Sequence, residues 1–232
     1  MPAVLQPSAA VYLHKSRNVP RYTGRDKVSD PEITMPAPKT LLELSGADLR
    51  PPRLRDAALV MIDLQNEYLA GPIALPDATS AIANAARLLA RARAAGTPII
   101  HIAHKGRAGG LFDRTAERGA IVSALAPLPG EPVIEKGLPN AFAGTDLQAQ
   151  LTAIGRKDLV LAGLMTHMCI SSTARAGLDL GFRITIDADS CATRDLPDGR
   201  GGAIAAATVH DVALAELSDR FAIIARGDDA LV

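Results

Sequence analysis

The stretch DLVLAGLMTHMCISSTARAGLDLGF, residues 158–182, links a predicted buried strand to a predicted helix. It starts as a nearly continuous apolar run, which is typical of a strand covered on both faces of a parallel sheet. It then becomes rich in small residues and ends near Gly181, where the helix is expected to stop. Three polar or reactive residues, Thr166, His167 and Cys169, lie at the junction, so this junction bears on both the fold and the function.

Strand-like and helix-like segments alternate through most of the chain. This alternation predicts a parallel sheet with helices on both of its faces. We therefore expect a three-layer α/β fold, doubly wound and Rossmann-like, built on a six-stranded parallel sheet. The predicted strands span 57–63, 97–104, 131–137, 158–163, 182–190 and 220–225, and the predicted helices span 76–96, 145–155, 167–181 and 201–219.

Residues 1–54 differ from the rest because they are rich in Pro, Arg and Lys and lack sustained periodicity. We predict an N-terminal arm over 1–54, mostly extended, and one domain over 55–232. The prolines within 31–44 favour an extended course there. Tyr12 and Tyr22 are of a residue type that is favoured at interfaces. We expect the arm to pack on the domain or on a neighbouring subunit of a homo-oligomer, either a dimer or a tetramer.

Composition and charge argue against several classes of function. The 232 residues include 25 basic and 25 acidic side chains, and they form no basic stripe of the kind that binds nucleic acid. No apolar run approaches the ~18 residues of a membrane-spanning helix, and the N-terminus lacks a clean secretory signal. We expect a cytoplasmic protein without nucleic-acid or membrane partners. Cys169 and Cys191 make no disulfide framework and are expected to be reduced.

Polar groups follow several predicted strands at the point where each strand ends. Asp63 ends the first strand, Lys136 ends the third, and Cys169 follows the fourth. Ligands of open parallel sheets bind beyond this carboxyl edge. A helix N-terminus and a nearby ammonium favour the thiolate of a cysteine, and Asp63 could accept the thiol proton. These residue types supply a nucleophile, a base and an orienting cation.

Each of the three residues also has a purely structural interpretation. Cys169 could be a small buried hydrophobic residue at the start of a helix. Asp63 could cap a helix or lie at the surface, and Lys136 could be the solvated end of a strand. The residue pattern alone leaves both interpretations open at all three positions.

Four segments carry a family resemblance: ALVMIDLQNEY (58–68), VIEKGLPNAFAGTDLQAQL (133–151), LAGLMTHMCISSTARAGLDLGF (161–182) and DSCATRD (189–195). Together they closely resemble the isochorismatase-like cysteine hydrolase superfamily, which includes nicotinamidases and N-carbamoylsarcosine amidase-type enzymes. The segments occur in the family's order, and the similarity runs from about residue 40 to the C-terminus. Four ordered motifs make a specific signal, whereas any one of them alone would be weak.

The resemblance implies a catalytic triad of Asp63, Lys136 and Cys169. It also implies a non-proline cis peptide bond between Leu164 and Met165, which would aim the Met165 N–H beside the Cys169 N–H. Two such amides form an oxyanion hole, which stabilises negative charge on a carbonyl oxygen.

The resemblance further implies that the domain over 55–232 is a hydrolase. Such an enzyme would cleave a C–N bond of a small amide, carbamoyl or ureido substrate through a thioester intermediate. True isochorismatases lack the cysteine, so Cys169 favours C–N hydrolysis over ether cleavage. Nicotinamidases carry a metal-binding Asp-x-His, whereas 66–79 contains no His, so we expect neither a metal ion nor a cofactor. The alternatives are an isochorismatase-type ether hydrolase and a non-catalytic homologue that binds a small molecule.

Several residues near the implied triad are interpreted as contacts for the small-molecule substrate. Gln65 and Asn66 are expected to face the pocket or else to brace the loop. His167 could contact the substrate or simply cap the helix, and Phe142 could form a pocket wall or belong to the core. His210 is expected to be structural. The predicted substrate contacts are Gln65, Asn66, His104, Phe142, Thr166 and His167.

Overall fold

The predicted strands form one parallel sheet in the computed structural model, which describes residues 37–231. The strands are β1 (Ala58–Ile62), β2 (Ile99–His104), β3 (Val133–Lys136), β4 (Asp158–Leu164), β5 (Arg183–Ala192), β6 (Leu196–Pro197), β7 (Ala203–Ile204) and β8 (Ile223–Ala225). Six of them pair in the order β3-β2-β1-β4-β5-β8, all parallel. β6 and β7 form a separate antiparallel pair. The predicted six-stranded α/β fold is confirmed.

Helices cover both faces of this sheet. They are α1 (Leu41–Leu44), α2 (Glu67–Ala70), α3 (Ala78–Ala94), α4 (Leu147–Ile154), α5 (Ser171–Asp179) and α6 (Ala206–Arg220). Successive side chains of β1 point to opposite faces, so Leu59 and Met61 join the core beneath α3, whereas Val60 and Ile62 join the core beneath α4, α5 and α6. The sheet is thus the middle of three layers. No helix in residues 37–231 is long and apolar enough to span a membrane.

The last long helix starts later than the sequence predicts. The prediction placed a helix over 201–219, but α6 begins at Ala206. Residues just before it form β7, which pairs with β6. Ala206 N donates to Asp195 Oδ1 at 2.7 Å, and this partner lies 11 residues earlier in the chain. Helical periodicity alone does not contain this contact and therefore misplaces the helix start.

One helical turn, α1, lies in the segment 31–44, for which the prolines predict an extended course. Thr40 Oγ1 accepts from Glu43 N at 3.1 Å, and Glu43 Oε2 accepts from Thr40 N at 2.7 Å, which together make a capping box. Leu41 N donates to Asp219 Oδ1 at 2.8 Å, so α1 is tied to α6. The prediction was wrong for 41–44 because the local Thr-x-x-Glu signal was overlooked.

The wider prediction for the N-terminal arm stays a prediction. Residues 1–36, which include Tyr12 and Tyr22, lie outside the described residues. Residues 38–54 belong to the same compact unit as the rest of the domain. Arg183 Nη2 donates to the carbonyl of Asp48 at 3.1 Å, which ties this part of the arm to the start of β5.

Candidate active site

Three side chains that the sequence assigns to one edge of the sheet meet there. Asp63 directly follows β1, Lys136 ends β3, and Cys169 lies just beyond β4. Lys136 Nζ lies 2.6 Å from Asp63 Oδ2 and 3.3 Å from Cys169 Sγ. The exposed fractions of Asp63, Lys136 and Cys169 are 0%, 2% and 4%. Asp63 and Lys136 are therefore not surface groups, and the cluster is largely shielded from water.

Asp63 has a backbone conformation that few residues adopt. Its φ of 53° lies in the left-handed region, where Asp is tolerated better than most side chains. Its N–H donates to Ile102 O at 2.9 Å, and its carbonyl accepts from Gln65 N at 2.9 Å. These bonds turn the chain at the end of β1 and leave the carboxylate at the carboxyl edge of the sheet. Strain of this kind is concentrated at functional sites.

The chain is tightly confined just before Cys169. Gly163 has a φ of 144°, and a Cβ there would lie 1.9 Å from the carbonyl oxygen of the last residue of β1. The peptide bond between Leu164 and Met165 is cis, at the position that the resemblance implies. Thr166–Ile170 then form a π-helical turn ahead of α5. The prediction of a first α-helical turn was wrong here, and Cys169 lies instead in a wider turn of a kind frequent at functional sites.

Burial decides the protonation state of the thiol. Burial, and next the negative charge of Asp63, raise the pKa of Cys169 to about 12, although the Lys136 ammonium opposes this shift. The Lys136 ammonium favours the thiolate, as expected, but the cost of desolvating the anion is larger, so the thiol form is favoured before Asp63 accepts the proton. Burial also raises the pKa of Asp63, and Lys136 again opposes the shift. A hydrogen bond between Asp63 and the Cys169 thiol also opposes this shift, and it places the carboxylate to accept the thiol proton.

The Lys136 ammonium lies at the centre of the cluster. Besides Asp63 and Cys169, it contacts His104 Nδ1 at 3.2 Å and Leu138 O at 3.1 Å. The pKa of His104 is lowered to about 4, mainly by burial and secondly by the charge of Lys136. The His104 ring is therefore neutral, and Nδ1 accepts a hydrogen bond from Lys136 Nζ. Ligand-type atoms of Asp63, His104 and Cys169 lie within 4.8 Å of one another. A metal ion there would lie against the buried ammonium, so these residues do not fit one.

Gln65 and Asn66 use their side chains on the protein itself. Gln65 Nε2 donates to His104 O at 3.0 Å and to Gly119 O at 2.7 Å, and Gln65 Oε1 accepts from His104 N at 2.8 Å. Asn66 Nδ2 donates to Glu117 O at 2.9 Å. These bonds match the loop-bracing interpretation. They join the segment after Asp63 to the end of β2 and to the loop that follows it.

Thr166 and His167 hold the π-helical turn from two sides. Thr166 is fully buried, and its Oγ1 lies 2.9 Å from His210 Nδ1 on α6. His167 Nδ1 is hydrogen-bonded to Thr193 Oγ1, just after β5. The structural interpretation of His210 agrees with this contact. Both pairs fix the turn that carries Cys169.

Phe142 lies outside the Lys136 contacts and packs with the core. Its ring stacks on that of Phe182, with centroids 5.8 Å apart and an interplanar angle of 14°. It also packs against the buried cluster beneath α4, α5 and α6. These contacts match its interpretation as ordinary core.

Three further residues near the site were missed by sequence reasoning. The Phe112 ring lies 4.9 Å from the His104 ring, centroid to centroid, and Glu67 is a fully buried carboxylate that accepts from Phe112 N at 3.1 Å. Arg194 Nε is buried without a hydrogen-bond partner in the described part of the chain. The pKa of His167 is lowered, mainly by burial and secondly by the charge of Arg194. Glu67 and Arg194 lie within the quoted motifs, but only tertiary contacts reveal their surroundings.

A three-layer α/β fold with a buried carboxylate, ammonium and thiol at the carboxyl edge of its sheet has the features of an α/β cysteine hydrolase. The family model for the Isochorismatase domain matches residues 57–229. The chain therefore belongs to the isochorismatase family.

Similar proteins include named hydrolases and one secreted protein. The chain is 37% identical over 176 residues to a secreted isochorismatase effector of Verticillium dahliae, covering 75% of this chain and 90% of the relative. It is 34% identical over 172 residues to a streptothricin hydrolase of Streptomyces noursei, covering 74% of this chain and 60% of the relative. It is also 34% identical over 149 residues to a maleamate amidohydrolase of Pseudomonas putida, covering 57% of this chain and 70% of the relative. The solved structure of an isochorismatase from Pseudomonas putida superposes with a TM-score of 0.80 at 43% identity, covering 84% of this chain and 100% of that structure's chain. Because one relative is secreted, the cytoplasmic location stays a prediction.

Proposed function

We propose that the protein is a cofactor-independent hydrolase that cleaves a C–N bond of a small amide, carbamoyl or ureido substrate through a thioester on Cys169. The observation that carries the proposal is the position of Lys136 Nζ, 2.6 Å from Asp63 Oδ2 and 3.3 Å from Cys169 Sγ in a buried site. The names of two relatives, a streptothricin hydrolase and a maleamate amidohydrolase, support hydrolysis, and the second supports an amide substrate.

In the first half of the reaction, Asp63 acts as general base. Its carboxylate takes the proton of the Cys169 thiol as the sulfur attacks the substrate carbonyl carbon. The Lys136 ammonium offsets the negative charge that passes from the carboxylate to the sulfur. The Met165 and Cys169 amides are proposed to donate to the carbonyl oxygen as it becomes an oxyanion. A high resting pKa of the thiol fits this scheme, because proton transfer then coincides with attack.

In the second half, Asp63 returns the proton and the enzyme is regenerated. The C–N bond breaks as the protonated Asp63 donates its proton to the departing ammonia or amine, which leaves an acyl group on Cys169. The carboxylate then takes a proton from water, whose oxygen attacks the thioester carbonyl. The C–S bond breaks, the acid product leaves, and the proton returns to the sulfur.

The experiment is an ammonia-release screen of small amides, carbamates and ureides with two matched cysteine variants. We expect Cys169→Ala to lower turnover by at least about a thousandfold, as the loss of a covalent nucleophile does. Cys191→Ala is the control, because Cys191 is also buried but takes no part in the proposed chemistry. Turnover by the Cys169→Ala variant within about tenfold of wild type would rule out the covalent scheme.

A further inference from the structure

Glu67 is a buried carboxylate whose two partners belong to the same loop. It lies in α2, four residues after Asp63, and its exposed fraction is 0%. Oε1 accepts from Arg118 Nη1 at 3.0 Å, and Oε2 accepts from Phe112 N at 3.1 Å. Both partners lie between β2 and β3. A buried carboxylate with two such partners stabilises the loop position that provides them.

The part of this loop nearest Glu67 closes on itself. Gly106 N donates to Phe112 O at 3.0 Å, and Gly109 N donates to Asp113 Oδ2 at 2.7 Å. Phe112 has a φ of 56°, in the left-handed region that bulky residues rarely adopt. A strained residue of this kind persists only where its surroundings hold it. The N–H of Phe112 is the group that Glu67 holds.

A chain of contacts leads from Glu67 to the proposed catalytic cluster. The Phe112 ring lies 4.9 Å from the His104 ring and 5.3 Å from the Tyr68 ring, centroid to centroid. His104 Nδ1 lies 3.2 Å from Lys136 Nζ. Phe112 is itself only 9% exposed, and its ring reaches the cluster through its contact with His104.

We propose that Glu67 is a positioning residue that clamps Phe112 and the loop 106–113 over the cluster, and so limits the access of substrate and water to Cys169. The role in turnover rests on the proposed function, but the shielding of the thiol does not. Loss of the clamp releases the strained Phe112 backbone, and the loop then moves away from His104. The thiol of Cys169 becomes accessible while the fold around it stays intact.

The test measures alkylation of the two cysteines by iodoacetamide, followed by peptide mass spectrometry on the full chain. Cys191 is also buried but lies in β5, outside the loop, so it reports global opening, and the ratio of the Cys169 rate to the Cys191 rate isolates the local effect. We expect Glu67→Ala and Phe112→Ala each to raise this ratio about tenfold, the change that loss of a charge-assisted hydrogen bond produces. The double variant is expected to add less than about twofold, because both changes release the same contact.

Two matched variants complete the test. Glu67→Gln keeps an acceptor for the Phe112 N–H but loses the charge that pairs with Arg118, so its ratio is expected to lie between those of wild type and Glu67→Ala. Glu131→Ala is the control, because Glu131 also pairs with an arginine, Arg93, and accepts a backbone N–H, but lies ahead of β3, away from the site. Its ratio is expected to stay unchanged. An unchanged ratio in Glu67→Ala, or an equal rise at both cysteines, would overturn the proposal. Because alkylation needs no turnover, this result is independent of whether an amide substrate is found.

Discussion

Lys136 is the cation of the buried site, and it contacts both Asp63 and Cys169. Its ammonium is paired with the fully buried Asp63 carboxylate, so Lys136→Met leaves that carboxylate without a cation in a site with little water. Removing one partner of a buried pair costs about 3–5 kcal/mol. We expect a loss of that size in the free energy of unfolding, measured by urea denaturation.

Lys105→Met provides the matched control for this prediction. Lys105 Nζ lies 2.7 Å from Glu135 Oε2, but these side chains are 59% and 38% exposed. A surface pair of this kind contributes about 1 kcal/mol or less. An equal loss of stability in the two variants would show that the Asp63–Lys136 pair does not hold the site together.

The raised pKa of Cys169 predicts how stability depends on pH. The folded value of about 12 lies above the ordinary thiol value, so the protonated form is favoured in the fold. Its contribution is complete below about pH 8.5 and is lost as the pH rises toward the folded value. Between about pH 8.5 and 10, wild type should lose about 1.5 kcal/mol more than Cys169→Ser, which does not titrate there.

Urea denaturation of both proteins across that pH range checks this prediction. Cys191, whose pKa burial also raises to about 12, is present in both proteins, and its contribution cancels. Equal slopes of stability against pH would mean that the thiol is already ionised or already solvated in the folded protein.

For single residues, the sequence predicts which side chains meet at the site but not their protonation states or hydrogen-bond partners. The position of Asp63, Lys136 and Cys169 after parallel strands, together with the family motifs, predicts their convergence. The protonation of the thiol depends on desolvation, which no pattern contains. The sequence likewise does not predict the role of Gln65. Its side-chain amide is hydrogen-bonded to the backbone of His104 and Gly119, which lie in distant segments of the chain.

At the scale of elements, the close approach of β4 to β1 is the feature that locates the turn carrying Cys169. Gly163→Ala places a Cβ 1.9 Å from a β1 carbonyl oxygen, and backbone cannot move aside cheaply. We expect this variant to fold less stably than Gly155→Ala. Gly155 also has a positive φ, 74°, but has open space around its Cβ position, so only the strain of about 1–2 kcal/mol applies.

Thermal unfolding of the two glycine variants shows whether steric crowding at Gly163 lowers stability beyond the backbone strain that both variants share. A melting temperature for Gly163→Ala that lies well below that of Gly155→Ala is the expected result. Similar values would mean that β4 can shift away from β1 without cost, and that the tight junction does not constrain the site.

Strands and long helices follow from the sequence better than helix ends and turns do. The apolar runs of β1 and β4 and the stripe of α3 are local patterns, and each predicted element is present. The start of α6 depends on Asp195, and the π-helical turn depends on contacts of Thr166 and His167 with other elements. Such contacts are not local, so periodicity does not predict them.

At the scale of the whole molecule, the N-terminal arm bears on assembly. Its tyrosines and prolines predict a segment that packs on a neighbouring subunit or on the domain. We expect the full chain to be a dimer or tetramer and expect deletion of residues 1–36 to lower the number of subunits, calculated from the mass measured by light scattering. This deletion leaves α1 and its contact with Asp219 in place. An unchanged number of subunits would show that the deleted part of the arm does not hold subunits together.

The proposed thioester on Cys169 can be observed by intact-protein mass spectrometry after acid quenching during turnover of an amide found in the screen. We predict an added mass equal to the acyl part of the substrate, located by peptide mapping on Cys169 and lost when hydroxylamine cleaves the thioester. Turnover with no adduct on Cys169 at any quench time, together with an active Cys169→Ala variant, would contradict it.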